Sequence, residues 1–192
     1  QALLDAGDGQ PPETSSTRGY VLSVGALLEG KGHDLAIRAA AAAAAAPDVV
    51  IVTPRRDEVA ADALLRLAGS LGVALEVRTE ISDVELAEAY VGAIALLYLG
   101  HNEPFGLASI EAQACGCPAI VADEGGLPET VVDGVTGRVV PRAAEPAAEA
   151  IDQIAGDRER FAIEARRHGR SLTWPASGAA VRAAIDELVA AR

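Results

Sequence analysis

The chain has 192 residues, half of them apolar, which is enough for one sizeable hydrophobic core and close to the upper range of a single domain. Its formal net charge of -12 argues against nucleic-acid binding, because no basic stripe exists to replace the counterions of a phosphate backbone, so any anion must be held locally. No window approaches the roughly 18 strongly apolar residues of a membrane span; the longest apolar run, 39–46, is alanine throughout.

Aromatic residues make up only 3% and Met is absent, so the core has to be built from Val, Leu, Ile and Ala, as suits closely packed layers of sheet and helix. The chain starts at Gln1 without a signal pattern and reads as an internal piece of a longer protein. Cys115 and Cys117 offer too few ligands for a structural zinc site and a poor spacing for a disulfide. They are expected to be reduced, buried packing residues of a cytoplasmic protein.

In chain order, residues 1–18, with Gly7, Gly9, Pro11, Pro12 and a Ser/Thr cluster, read as a linker or mobile arm, and residues 19–192 as one folded domain. Strands are expected at 20–24, 49–53, 74–77, 95–99, 119–121 and 137–140, and helices between them at 33–46, 57–71, 83–91 and 105–115. The strands are short apolar blocks without alternation, as expected where helices cover both sheet faces. Strand–helix alternation implies parallel strands and right-handed crossovers, hence an α/β fold with a Rossmann-like, doubly wound sheet of about six strands. The last third, 143–155, 158–170 and 176–191, is helical and is expected to cap one edge of the sheet.

In such folds ligands sit at the C-terminal ends of the strands, where helix N-termini present amides and a partial positive charge. The first strand-to-helix turn holds Gly25, Gly30, Gly32 and the only lysine, Lys31. By itself it is compatible with an ordinary turn; it has neither the P-loop nor the dinucleotide-binding spacing. The fourth turn, 102–111, is richer. Pro104 is expected near the first helical position, Gly106 where a ligand approaches the backbone, and Glu103 and Glu111 on the borders of one cleft with free amides between them. A carboxylate beside an anion site needs another task, such as accepting hydrogen bonds from sugar hydroxyls; capping and solvated-face roles are the alternatives for the same two residues.

Together with residues 115–118, 125–129 and 133–137, these segments resemble the C-terminal domain of the retaining GT-B glycosyltransferases of group 1, which include glycogen and sucrose synthases and mannosyltransferases. The likeness runs from about Tyr20 to the C-terminus. It implies the C-terminal half of a GT-B fold that binds a nucleoside-diphosphate sugar and, in the intact protein, transfers the sugar with retention and without a metal or other cofactor. Lys31 matches the lysine that neutralises the leaving diphosphate, Glu103 the first glutamate of an E-x7-E motif, which contacts the donor sugar, and Glu111 the second, which holds the ribose. The amides of Phe105, Gly106 and Leu107 match phosphate donors, Gly25 belongs to the same site, and Ile81 is expected beside the base. The acceptor domain, N-terminal in the family, is expected to be missing, leaving the piece inactive alone. A degenerate scaffolding module is the main alternative, and an epimerase of related architecture a third.

Three departures from the family pattern stand out. Ala26 occupies the place of an Arg that supplies a second cation, and Arg55 or Arg56 is expected either to replace it or to be solvated. Gly100 replaces a frequent Ser, read as tolerated variation. Among the histidines, His101 lies near the site without an assigned role, and His168 is expected on a helix surface.

Overall fold

The computed structural model describes residues 19–190. The expected arm at 1–18 lies outside the described residues. Six strands, β1 (Tyr20–Val24), β2 (Asp48–Thr53), β3 (Leu75–Thr79), β4 (Leu96–Tyr98), β5 (Ala119–Ala122) and β6 (Gly137–Val140), alternate with helices α1 (His33–Ala42), α2 (Glu58–Leu71), α3 (Asp83–Gly92) and α4 (Leu107–Ala114). A short 3-10 turn, Leu127–Thr130, precedes β6, and α5 (Ala144–Gly156), α6 (Arg158–Ser171) and α7 (Trp174–Ala190) follow it. Every pairing is parallel and the order is β3-β2-β1-β4-β5-β6. This is the doubly wound arrangement expected from the alternation, with its switch point between β1 and β4.

The central strands carry apolar side chains on both faces because both faces are covered. Val21, Leu22, Ile51, Leu96, Leu97, Ile120 and Val121 are all fully enclosed. One face packs against α1, α2 and α5, the other against α3 and α4, with α6 laid on α4. Alanines at the contacts, Ala36, Ala39 and Ala40 of α1 and Ala147, Ala148 and Ala150 of α5 among them, let helix axes approach closely where bulky residues would hold them apart. The C-terminal helices therefore do not cap an edge: α5 and α6 lie on opposite sides of the sheet, and α7 buries no residue.

Side-chain caps set two of the helix starts. Asp57 accepts the Ala60 amide at the N-terminus of α2, and Ser82 with Glu85 forms a reciprocal capping box at α3. The end of α1 has another cause. The alanine run favours helix through residue 46, yet the helix stops at Ala42. The carboxylate of Asp152, on α5, takes the amides of Ala44 and Ala45 at 2.9 and 2.8 Å, so the chain finds acceptors outside the helix. Ala46 then turns with φ of 43° into Pro47 and β2.

A carboxylate accepting two main-chain amides across the α1–α5 contact stabilises that pairing. Asp152→Ala is expected to lower unfolding stability by about 1.5–3 kcal/mol, as for lost hydrogen bonds to a charged group. The check is urea denaturation, where an unchanged midpoint contradicts this account of the helix end.

Candidate functional site

The C-terminal ends of β1 and β4 lie side by side at the switch point, so the turns that follow them share a rim. The turn after β1 is pressed onto the end of β4. Gly32 has φ of 81°, and a Cβ placed on it would lie 2.4 Å from the Leu99 carbonyl oxygen, so this position admits neither a side chain nor ordinary backbone. The His101 amide donates to Gly30 O at 2.7 Å and closes the seam between the two turns.

Across that seam the Lys31 ammonium is ion-paired and hydrogen-bonded to Glu103 Oε1. The Glu103 side chain is 12% exposed and that of Lys31 31%, so the carboxylate is the more enclosed partner. Two local features deliver it. Asn102 has a positive φ of 49°, a conformation Asn tolerates better than most residues. At Gly100 a Cβ would stand 2.7 Å from Glu103 Cγ, so the missing side chain lets the glutamate lie back over the strand end. Gly100 is thus more than tolerated variation: a serine here would force Glu103 aside. From the other side, Gly126 donates its amide to Glu103 O at 2.8 Å, which brings the 125–129 turn onto the rim.

Helix α4 starts at Leu107, two residues later than the sequence reading, and Gly106 precedes it in left-handed conformation. Pro104 consequently lies ahead of the helix rather than at its first position. The Leu107 and Ala108 amides have no acceptor within the helix, whereas the Ser109 amide donates to Gly106 O at 3.0 Å, and Phe105 and Leu107 are both exposed. Glu111, in the second turn, accepts a hydrogen bond from the Tyr90 hydroxyl at 3.4 Å, and burial raises its pKa above the ordinary 4.5. Tyr98, the last residue of β4, feels both carboxylates: its phenol is pushed up to about 12, by burial first and then by Glu103, with Glu111 adding to it. Sequence reasoning missed Tyr98, although its position at a strand tip was a usable signal.

A cavity of about 350 Å³ opens beside this pair, lined by Val24, Gly25, Val52, Thr53, Pro54, Glu80, Ile81 and Leu86. It joins two expected site residues, Gly25 and Ile81, from the ends of β1 and β3. Neither Arg55 nor Arg56 lines it. Arg56 is bound to Glu58 at 2.9 Å on the exposed surface, so it does not supply the cation lacking at Ala26. A larger hollow of about 770 Å³ lies on the other side of the β1–α1 turn, with Leu28, Gly30, Asp34, Leu64, His101 and Arg142 in its walls.

Two histidines have structural work. His33 is buried between Ser23 Oγ, 2.9 Å from Nδ1, and Ala26 O, 3.1 Å from Nε2, and burial lowers its pKa below 6.5. In its neutral form it donates from Nε2 and accepts at Nδ1, which anchors the start of the lysine turn. His101 pairs with Glu124 at 2.7 Å. His168 is only partly at the surface, since its Nε2 is buried with no hydrogen-bond partner among the described residues. Cys115 and Cys117 are buried and form no disulfide, and burial raises both thiols, that of Cys117 to about 12, in keeping with a packing role. Among the described residues no group of three His, Cys, Asp or Glu is placed to hold a metal ion, and no helix is long and apolar enough to cross a membrane.

Comparison with known proteins bears on the family and the fold. The D-inositol 3-phosphate glycosyltransferase of Mycobacterium bovis is 36% identical over 185 residues, which is 90% of this chain and 38% of that protein. The protein of the same description from Actinosynnema mirum is 42% identical over 132 residues, 66% of this chain and 32% of its own length. The chain therefore spans well under half the length of the curated relatives it matches. Among solved structures, a sucrose-phosphate synthase from Thermosynechococcus elongatus superposes with a TM-score of 0.76 at 28% identity, over 91% of this chain and 46% of the other. Anabaena HepE, solved in complex with UDP-glucose, shares the fold with a TM-score of 0.72 at 22% identity, over 92% of this chain and 50% of that one. Residues 9–168 match the family described as glycosyl transferases group 1. With most of its length inside that match and a GT-B Rossmann-like sheet beneath it, the chain belongs to the group 1 glycosyl transferases.

Proposed function

We propose that this chain is the donor-binding domain of a retaining, metal-independent glycosyltransferase, and that it holds a nucleoside-diphosphate sugar across the ends of β1, β3 and β4. The observation that carries this reading is the meeting of Lys31 and Glu103 beside the open amides of α4 and the cavity lined by Gly25 and Ile81. The base occupies that cavity with Ile81 against it, and the ribose extends from its mouth towards Glu111, which accepts from the ribose hydroxyls. The diphosphate faces the amides of Phe105, Gly106 and Leu107 and the Lys31 ammonium, and Glu103 grips the sugar.

Chemistry at such a site is electrostatic. As the bond to the anomeric carbon breaks, negative charge grows on the departing diphosphate, and fixed amides and an ammonium stabilise it without reorganising. Lys31 is already ion-paired, so a diphosphate becomes its second anionic partner. In that arrangement the lysine links leaving group and sugar site, and Glu103 keeps the ammonium aimed at both. The acceptor, on this reading, is bound by the part of the relatives' length that this chain does not span, and the chain alone turns nothing over. Its two buried cysteines form no disulfide, which fits the reducing cytoplasm.

A non-catalytic binding module of the same fold is the second reading, favoured by Ala26 and by the absence of Arg55 and Arg56 from the cavity wall. Titration of the chain with UDP, GDP and ADP separates the two. A donor site binds one of them, and Lys31→Ala weakens that binding by about 10- to 100-fold, the range for losing a hydrogen bond between charged groups. Binding of none of the three contradicts the donor reading, as does unchanged affinity in Lys31→Ala.

Acid tests the role of Glu111. Its carboxyl takes up a proton at a higher pH than an ordinary glutamate, and the ionised form is the stronger acceptor for hydroxyls, so nucleotide affinity is strongest above that pKa and falls as pH drops through it. Glu111→Gln is expected to bind more weakly at neutral pH and to lose this fall. Calorimetry from pH 7.5 down to pH 5 on both proteins gives the comparison; an identical decline in the two removes Glu111 from the site.

A further inference from the structure

Arg142 follows β6 by two residues, in no segment that carries the site chemistry, yet its side chain reaches back to the rim. Its Nε donates to Leu99 O at 2.9 Å and its Nη2 approaches Gly30 O at 3.5 Å. Leu99 is completely buried, and its carbonyl is the group against which Gly32 packs, so water has little access to it and a protein donor is required. Gly30 O is the carbonyl that also receives the His101 amide. One guanidinium therefore touches both turns of the site, the one immediately before Lys31 and the one leading into Glu103. No carboxylate pairs with Arg142 among the described residues.

We infer that Arg142 is a positioning residue that pins the lysine turn to the glutamate turn and so fixes where the Lys31 ammonium stands. A planar guanidinium with forked donors can serve two carbonyls at once, whereas a lysine offers a flexible point donor. With Ala26 in place of a second cation and Arg56 bound elsewhere, the Lys31 ammonium is the side-chain cation that works beside the amides of α4, and its placement matters correspondingly more. The bearing of this pin on nucleotide binding rests on the donor-site reading; the pin itself does not.

Hydrogen exchange and calorimetry on the chain separate these two layers. Arg142→Ala is expected to speed exchange of the His101 amide about tenfold relative to the Ile51 amide in β2, as for loss of one hydrogen-bonded restraint. The affinity for whichever of UDP, GDP or ADP binds the unaltered chain is expected to fall about five- to tenfold. Arg142→Lys keeps the charge and is expected to recover less than half of the loss on a logarithmic scale. Unchanged His101 exchange, an equal acceleration of Ile51 that marks general loosening, or full recovery in Arg142→Lys overturns the inference. If the unaltered chain binds none of the three nucleotides, the donor reading fails while the exchange comparison still decides the pin.

Discussion

A lysine and a glutamate 72 residues apart meet where β1 and β4 end, and the organisation of the site follows from that contact. The two strands are neighbours because the sheet reverses its winding direction there, which leaves a crevice that no crossover helix fills. Into it the chain sends its only lysine, a carboxylate and the start of a helix. An ammonium paired with a carboxylate at a partly enclosed rim is electrically near neutral, and the adjoining amides of α4 tip the balance towards an anion. A diphosphate linked to a sugar matches this pattern, negative at one end and rich in hydroxyls at the other.

Close backbone contact holds the pair in register. Gly32 against Leu99 O, the His101 amide on Gly30 O and the Gly126 amide on Glu103 O join three turns, so the charged side chains stand on a rigid seam. His33 adds a buried strut from Ser23 to Ala26. These devices use main-chain atoms and small residues, in keeping with a core rich in alanine and poor in aromatics.

Much of this architecture was legible in the sequence. Short blocks of Val, Leu and Ile at six places, each followed by a turn and a helical stretch, are enough to specify a parallel sheet covered on both faces. The turns after β1 and β4 were legible as neighbours on one rim, and the structure brings Lys31 and Glu103 together there, with Glu111 one turn further along α4. What was not legible depends on partners distant in the chain. Helix α1 stops short because Asp152, more than a hundred residues on, captures its amides. The delayed start of α4 follows from Gly106, whose left-handed backbone cannot belong to the helix. The significance of Gly100 appears only once Glu103 lies across it. Arg142 carries no local signal, since its carbonyl partners are 43 and 112 residues away. The separation of α5 and α6 onto opposite sides of the sheet is likewise a property of the packed whole.

The claim that one rim holds the diphosphate is tested most directly by following main-chain amide resonances of the chain while UDP, GDP or ADP is added. The account predicts that the largest changes fall on Gly25, Lys31, Phe105, Gly106 and Leu107, with the arginine-bearing groove of α6 around Arg158 and Arg167 unaffected. Changes centred on that groove, with the β1 and β4 turns silent, would contradict it.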